Sequence, residues 1–102
     1  CQHGHEHASC AEARRCNDLH LLEHGGIIRE LQQQPQFWFM INDMQVKHKN
    51  GRRAGYRADF AYFDGEKHIV EDVKGAYRDD AWTLRKAIFC ALFPEIELRE
   101  VP

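Results

Sequence analysis

The chain lacks long apolar segments and any strong excess of one charge. No apolar run approaches the roughly 20 residues that a bilayer-spanning helix needs, and no apolar signal segment is present, so we expect neither a membrane protein nor a secreted one. The 102 residues carry 14 Lys and Arg against 16 Asp and Glu, a formal net charge of −2. This balance excludes a polycationic protein, so any contact with nucleic acid must come from a local basic patch.

The sequence also lacks Cys-x-x-Cys pairs, zinc-finger and helix-turn-helix signatures, internal repeats and low-complexity linkers. We therefore expect reduced, intracellular thiols and no sequence-specific DNA reader. The length suits a single domain over residues 1–102, with a polar, His-rich lead-in at residues 1–8. The cysteines are Cys1, Cys10, Cys16 and Cys90.

Two helices are predicted from apolar spacing and end signals. The first covers Cys10–His24, because apolar residues recur at helical spacing and Gly25-Gly26 follows. The preceding serine suits its N-cap, and Glu12 stands three residues later, at the capping-box position. The second helix is predicted to start at Asp79-Asp80, whose charges favour a helix N-terminus, and to end before Pro94.

Four or five strands are predicted around these helices, three or four of them before the second helix and one after it. Aromatic density predicts a buried strand over Phe37–Ile41, and Asp64-Gly65 predicts a hairpin turn between the strands Tyr56–Phe63 and His68–Lys74. Alternation predicts a last strand over Ile96–Val101. Earlier in the chain, residues 32–35 are expected to end the short apolar stretch Ile27–Leu31. The order of elements predicts a mixed α/β fold around one sheet. Its core is expected to contain Phe37, Trp38, Phe39, Trp82, Phe89 and Phe93.

Acidic residues and one lysine are expected to converge at one end of this sheet. Because strand side chains alternate with period 2, Asp72 and Lys74 share a face and Glu71 points to the other. Pairing around the hairpin turn brings Asp59 within a few residues of the register of Asp72. Glu12 on the first helix could approach the same site as a third carboxylate.

This grouping suits metal-assisted hydrolysis of phosphodiesters. Mg²⁺ and Mn²⁺ are hard ions that prefer carboxylate oxygens. Such an ion polarises the phosphate and lowers the pKa of a water, while Lys74 would orient that water or neutralise charge on phosphorus. The alternative is a structural or solvated ion pair between Asp72 and Lys74, because an isolated Asp-x-Lys triplet is common on strands.

A basic loop precedes the strand that carries Asp59. It surrounds the tight-turn dipeptide Asn50-Gly51 and holds five cations within eleven residues that include no acid. These residues could contact phosphates and position a DNA backbone, or they could form a solvated hairpin tip. They are Lys47, Lys49, Arg52, Arg53 and Arg57.

The order of these motifs resembles the PD-(D/E)XK nuclease superfamily and, more closely, a family of small phage and prophage proteins within it. The resemblance covers about nine-tenths of the chain. The matching segments are residues 9–28, 31–37 with Gln34-Pro35, 56–60 (Tyr-Arg-Ala-Asp-Phe), 70–75 (Val-Glu-Asp-Val-Lys-Gly) and 96–101. The departure is His7-Ala8-Ser9-Cys10, where that family usually has an apolar-Asp-Ser-Lys run.

The resemblance implies an αβββαβ, restriction-endonuclease-like core, with a mixed sheet flanked by two helices. It implies that Asp59 and Asp72 bind Mg²⁺ or Mn²⁺ and that Lys74 is the catalytic lysine. Glu12 matches the helix acid, a further catalytic and metal-binding residue, and Gln34 is expected to line the site. The expected location is the cytoplasm of a bacterial host or phage-infected cell.

The histidines form two groups outside this site. At the N-terminus a dense cluster could hold Zn²⁺ or Ni²⁺ adventitiously, although its spacing matches no structural zinc motif. On the first helix, His20 and His24 could chelate a metal, but a polar helix flank is the simpler interpretation. The N-terminal cluster comprises Cys1, His3, His5, His7 and Cys10.

The sequence therefore predicts a metal-dependent DNA endonuclease, with structure-selective cutting in phage DNA recombination or processing as a further expectation. A core this small suggests a homodimer on DNA. The alternative is a non-catalytic module of the same fold that binds nucleic acid or protein.

Overall fold

The computed structural model describes residues 10–73 and 80–101. Ser9, Lys74, Asp79 and the whole His-rich lead-in (residues 1–8) lie outside the described residues. The elements are α1 (Cys10–His24), β1 (Arg29–Gln33), β2 (Gln36–Trp38), β3 (Met40–Ile41), β4 (Met44–Gln45), β5 (Gly55–Arg57), β6 (Phe60–Asp64), β7 (Lys67–Val73), α2 (Asp80–Leu92) and β8 (Ile96–Val101).

The two helices match their predictions closely. α1 has the predicted bounds and ends at Gly25-Gly26, where Gly26 adopts a φ of 77° and the amide of Ile27 donates to the carbonyl of Leu22 at 2.9 Å. A left-handed glycine just past the last turn is a common helix end. α1 has 15 residues and α2 has 13. Neither described helix is long and apolar enough to cross a bilayer.

Four strands form one mixed sheet in the order β1-β6-β7-β8. The pairs β1–β6 and β6–β7 are antiparallel, whereas β7 and β8 are parallel. Parallel strands cannot be joined by a tight turn, and α2 makes the connection between β7 and β8. The other strands form two short antiparallel ribbons, β2–β5 and β3–β4. The predicted mixed α/β architecture with two helices is therefore confirmed.

Buried side chains lie on both faces of the sheet, because neighbouring residues of β6 and β7 point to opposite sides. We call the two groups the α1 cluster and the α2 cluster, after the helix that contributes to each. The α1 cluster contains Cys16, Leu19, Ile28, Phe60, Tyr62, Ile69 and Val73. The α2 cluster contains Phe39, Tyr56, Ala58, Ala61, Val70 and Phe89.

The predicted hairpin at Asp64-Gly65 is confirmed. β6 and β7 pair in continuous register from Phe60 opposite Glu71 to Asp64 opposite Lys67. Gly65 adopts a φ of 64°, a left-handed conformation that glycine reaches without the steric cost other residues incur. This register decides which acids meet at the far end of the two strands.

The predicted strand Phe37–Ile41 is wrong in extent and burial. It divides into β2, which pairs with β5, and β3, which pairs with β4 across a turn at Asn42-Asp43. Both turn residues have positive φ, 52° and 62°, which Asn and Asp tolerate better than most residues and which suits a two-residue hairpin. Met40 and Ile41 are 49% and 48% exposed, so apolar density did not mean burial.

The predicted break at residues 32–35 comes later than expected. Gln32 and Gln33 belong to β1 and pair with β6, opposite Ala61 and Phe60. The chain turns only at Gln34, whose φ is 49°. Backbone pairing at the sheet edge outweighed the weak strand preference of glutamine.

Candidate functional site

A kink in the chain positions Asp59. The predicted continuous strand Tyr56–Phe63 is wrong, because β5 ends at Arg57 and β6 begins at Phe60. The opposing chain bends at the same level, where the amide of Gln34 donates to the carbonyl of Asp59 at 2.8 Å. The backbone of Gln34 thus lies next to that of Asp59, and its side chain is exposed; that this side chain lines the site stays a prediction.

Asp59 and Asp72 lie at the same end of the sheet. The amide of Asp59 donates to the carbonyl of Glu71 at 3.1 Å, although Glu71 is already the register partner of Phe60, so the regular β6–β7 pairing ends here and Asp59 lies one residue out of register. Its carboxylate Oδ2 accepts a hydrogen bond from the amide of Val73 at 2.7 Å. Asp59 is half-buried, and Asp72 is 4% exposed. The predicted placement of the two acids within a few residues of register is confirmed, and Lys74 lies just outside the described residues.

Glu12 reaches the same end of the sheet from the other face. It lies in the first turn of α1 and is 5% exposed. The neighbouring Ala11 lines a surface depression with Val101, which is the β8 partner of Val73. Because Asp72 shares a face with the α2 cluster, Glu12 and Asp72 approach the end of β7 from opposite sides.

A complete metal-binding cluster is not formed by the residues in view. Within residues 10–73 and 80–101, no group of three or more His, Cys, Asp and Glu side chains is arranged to hold an ion. Among the described residues, the candidate site therefore consists of two neighbouring acids, Asp59 and Asp72, with Glu12 on the opposite side of β7.

The side chain of Glu71 points away from the candidate site and has a structural role. Its side chain is 0% exposed and faces α1, where it accepts hydrogen bonds from Arg15 Nε at 2.8 Å and Arg15 Nη2 at 2.7 Å. The hydroxyl of Tyr62 donates to the same carboxylate. The hydrogen bonds to Glu71 raise the pKa of Arg15, while burial and then the bond to Glu71 raise the pKa of Tyr62 to about 12. Glu71 therefore anchors α1 to the sheet.

Three of the five predicted basic residues line one groove on the α2 side of the molecule. The groove has a volume of about 560 Å³. It lies between the β2–β5 ribbon, the basic hairpin over residues 47–53 and α2. Arg52, Arg53 and Arg57 line it, as does Arg85 of α2. Lys47 and Lys49 belong to the same hairpin but are exposed outside the groove. We call this feature the arginine groove.

Two aromatic residues predicted to be core also line the arginine groove. Trp38 is 38% exposed, and Trp82 is half-buried. The prediction of a core position is wrong for both, whereas Phe39 and Phe89 are buried as expected. The period-2 alternation of a strand held the missed signal: with Phe37 and Phe39 directed at the core, Trp38 must point away from it.

The family comparison covers nearly the whole chain. Residues 2–101 match the family described as "Protein of unknown function (DUF1064)". The chain belongs to the DUF1064 family. Neither a curated protein nor a solved structure matches it. Membership in DUF1064 gives no activity by itself, so the function must be argued from the acids and the groove.

One of the two helix histidines of this DUF1064 member, His20, contacts a protein group. Gln33 on β1 lies with its amide nitrogen 3.0 Å from Nε2 of His20 and 3.6 Å from Sγ of Cys16. The interpretation of His20 as part of a polar helix flank agrees with this contact. Of the N-terminal Cys/His cluster only Cys10 is described, and its thiol is free and exposed.

Proposed function

We propose that this protein is a Mg²⁺- or Mn²⁺-dependent DNA endonuclease of the PD-(D/E)XK type. The observation that carries the proposal is the position of two acids on neighbouring segments at one end of the sheet. Asp59 is held against the last residue of β7 by the hydrogen bond from the amide of Val73, and Asp72 precedes that residue. Lys74 follows it in the sequence, which completes the acid, acid-x-Lys pattern.

The donors fit a hard divalent cation in type and number. Asp59 and Asp72 offer carboxylate oxygens, and Mg²⁺ is commonly held by one or two carboxylates together with waters and substrate phosphates. Glu12 approaches this end of the sheet from the opposite face, so we do not assign it to the ion that Asp59 and Asp72 would hold.

The chain's own groups have distinct tasks in this proposal. Asp59 and Asp72 would hold the cation, which when bound supplies charge neutralisation and Lewis acidity at the scissile phosphate. The Lys74 ammonium would orient the attacking water and stabilise the charge that develops on phosphorus. Water oxygen forms a new bond to phosphorus, one ester P–O bond breaks, and the leaving oxygen takes up a proton. The regular pairing of β6 with β7, from Phe60 opposite Glu71 to Asp64 opposite Lys67, would keep the two acids close together during the reaction.

The order of elements further supports the fold named in the proposal. With the two short ribbons set aside, the helices and sheet strands run α1-β1-β6-β7-α2-β8, the αβββαβ order that the resemblance implies. The two ribbons and their hairpin are then an insertion between the first two strands of the sheet. That insertion carries the basic residues, so DNA would approach the acids from its side.

The test is cleavage of labelled linear duplex, single-stranded and four-way DNA in millimolar Mg²⁺ or Mn²⁺. Wild type is compared with Asp72→Asn and Lys74→Ala. The matched control is Asp64→Asn, because Asp64 is an exposed acid at the opposite end of the same hairpin. We expect metal-dependent cutting that both site variants abolish and the control retains. A homodimer with two sites would favour the four-way substrate.

The second candidate is a DNA-binding module without cleavage. The arginine groove favours it, since the residues that line the groove include no acid and require no metal. Under this candidate, DNA would be shifted in a gel by wild type and Asp72→Asn alike, and no substrate would be cut with either metal. That pair of results would replace the endonuclease proposal.

A further inference from the structure

The charge of the arginine groove is one-sided in a chain that is slightly acidic overall. Arg52, Arg53, Arg57 and Arg85 line it, and no Asp or Glu does, although the whole chain has a formal net charge of −2. Within residues 10–73 and 80–101, no salt bridge joins any of these arginines to a carboxylate. Guanidinium groups are well suited to phosphate oxygens, which they can bind in a bidentate manner. The groove is therefore a site for an anion with several oxygens.

Flat stacking surfaces lie beside these charges. The guanidinium carbon of Arg53 lies over the Trp38 ring, 4.0 Å from its centroid, so the two side chains form a cation–π pair. Arg53 is exposed, and Trp38 is 38% exposed. Trp82 provides a second aromatic ring in the same groove. Aromatic rings and arginine planes stack on nucleobases with little preference for sequence.

The wall of the groove also holds a hydroxyl with unused hydrogen-bonding capacity. Tyr56 is 2% exposed, and its buried hydroxyl forms no hydrogen bond with the described residues. Such a group costs free energy unless a partner arrives. Beside it, a Cβ on Gly55 would come within 2.7 Å of Nε2 of Gln36 and 3.0 Å of the Trp38 ring. The glycine keeps this part of the wall open.

We propose that the arginine groove binds an unpaired nucleotide of DNA. Its base stacks against the Trp38–Arg53 pair, and its phosphates contact Arg57 and Arg85. The inference deepens the proposed endonuclease function, because it names single-stranded or extrahelical DNA as the feature that the protein recognises. The groove volume of about 560 Å³ supports this ligand, since that space accommodates a base as well as a phosphate.

The position of the groove connects its ligand to the acids. Arg57 is the last residue of β5 and lies two residues before Asp59. Two residues of extended chain span at most about 7 Å, so a phosphate at Arg57 is next to the candidate site. A nucleotide bound in the groove would place an adjacent phosphodiester towards Asp59. The expected cuts are therefore close to a junction between paired and unpaired DNA.

Binding can be tested without cleavage and with a reporter already present. The chain has 2 tryptophans, Trp38 and Trp82, and both line the groove. Their fluorescence is measured during titration in EDTA with oligo-dT, with an abasic oligonucleotide of equal length and with blunt duplex. The abasic strand keeps the phosphates and lacks the bases, so it separates stacking from charge.

Three variants assign the contacts. Trp38→Leu is expected to weaken binding of oligo-dT about 5- to 150-fold, the equivalent of about 1–3 kcal/mol per stacked base, with little effect on the abasic strand. Arg57→Gln is expected to weaken both and to lower the slope of log affinity against log salt by about 0.7. The control Met44→Ala changes a 71% exposed residue of the β3–β4 ribbon outside the groove and should match wild type. Binding by the Trp38→Leu variant is measured by the fluorescence anisotropy of labelled DNA.

Any of three results would overturn the inference. Equal affinity of wild type for oligo-dT and the abasic strand would show a charge-only contact, and so would a Trp38→Leu variant that keeps wild-type preference while remaining folded by circular dichroism. Preference for the duplex would reject the unpaired nucleotide in the same way. The proposed endonuclease is tested separately by the metal-dependent cleavage lost in Asp72→Asn, so either proposal can fail alone.

Discussion

Glu71 and Asp72 are neighbours in β7, yet replacing each acid by its amide should have opposite consequences. Glu71 is 0% exposed and paired with Arg15, whose side chain is 28% exposed. Removing one partner of a buried pair costs about 3–5 kcal/mol, and the partial exposure of Arg15 favours the lower figure. With a urea slope of about 1–3 kcal/mol/M, Glu71→Gln should lower the unfolding midpoint by about 1–3 M.

Asp72→Asn should keep or raise stability and abolish cleavage, because neutralising an acid held for chemistry often stabilises a protein at the expense of activity. The assay is urea unfolding followed by tryptophan fluorescence, with cleavage measured on the same preparations. Glu97→Gln is the control, since Glu97 pairs with Arg99 at the surface, where they are 44% and 41% exposed, and such pairs contribute about 0–1 kcal/mol. A Glu71→Gln loss no larger than that of the control would refute the assignment of Glu71 as the buried anchor.

Three further outcomes follow from particular environments. Burial and the bond to Glu71 raise the pKa of Tyr62 from 10.0 to about 12 in the folded chain. As the pH rises, the unfolded chain therefore loses the phenolic proton first, and the free energy of unfolding should fall by about 2–3 kcal/mol between pH 10 and 12. Alkaline unfolding of Tyr62→Phe should lack that fall. Gly55→Ala would bring a Cβ within 2.4 Å of a carbonyl oxygen on β2, and thermal unfolding should show a loss of about 1–3 kcal/mol. Burial raises the pKa of the Cys16 thiol, whereas Cys10 and Cys90 are exposed, so a thiol reagent should modify Cys16 last.

The parts of the fold that followed from the sequence are those in which local signals agreed with tertiary packing. Helix spacing and Gly25-Gly26 gave α1 its bounds, and Asp64-Gly65 gave the register of β6 with β7. The errors arose where one local signal had two tertiary outcomes. Aromatic density over Phe37–Ile41 suits a buried strand, but also a ribbon that alternates between core and groove. Sequence alone does not show which partner strand lies beside it.

The candidate site divides in the same way. The closeness of Asp59 to Asp72 was predictable, because both lie at a fixed distance from one tight turn. The arginine groove was only half predictable. Arg52, Arg53 and Arg57 lie close together in the sequence. Arg85 and Trp82, in contrast, come from α2 and join them only when the connection between β7 and β8 is folded. Contacts between distant segments leave no periodic signal in the sequence.

The kink before β6 links the two halves of the proposed mechanism. If β5 and β6 were one flat strand, Arg57 and Asp59 would share a face, because side chains repeat with period 2. The bend at Ala58–Asp59 instead lets β5 leave the sheet and pair with β2, while the backbone of Asp59 stays hydrogen-bonded to β7 at Glu71. One short segment thus turns Arg57 towards the arginine groove and Asp59 towards β7. The bend therefore lets one tripeptide contribute a residue to the groove and a residue to the acid pair, so the order Arg57, Ala58, Asp59 matters as much as the residue types.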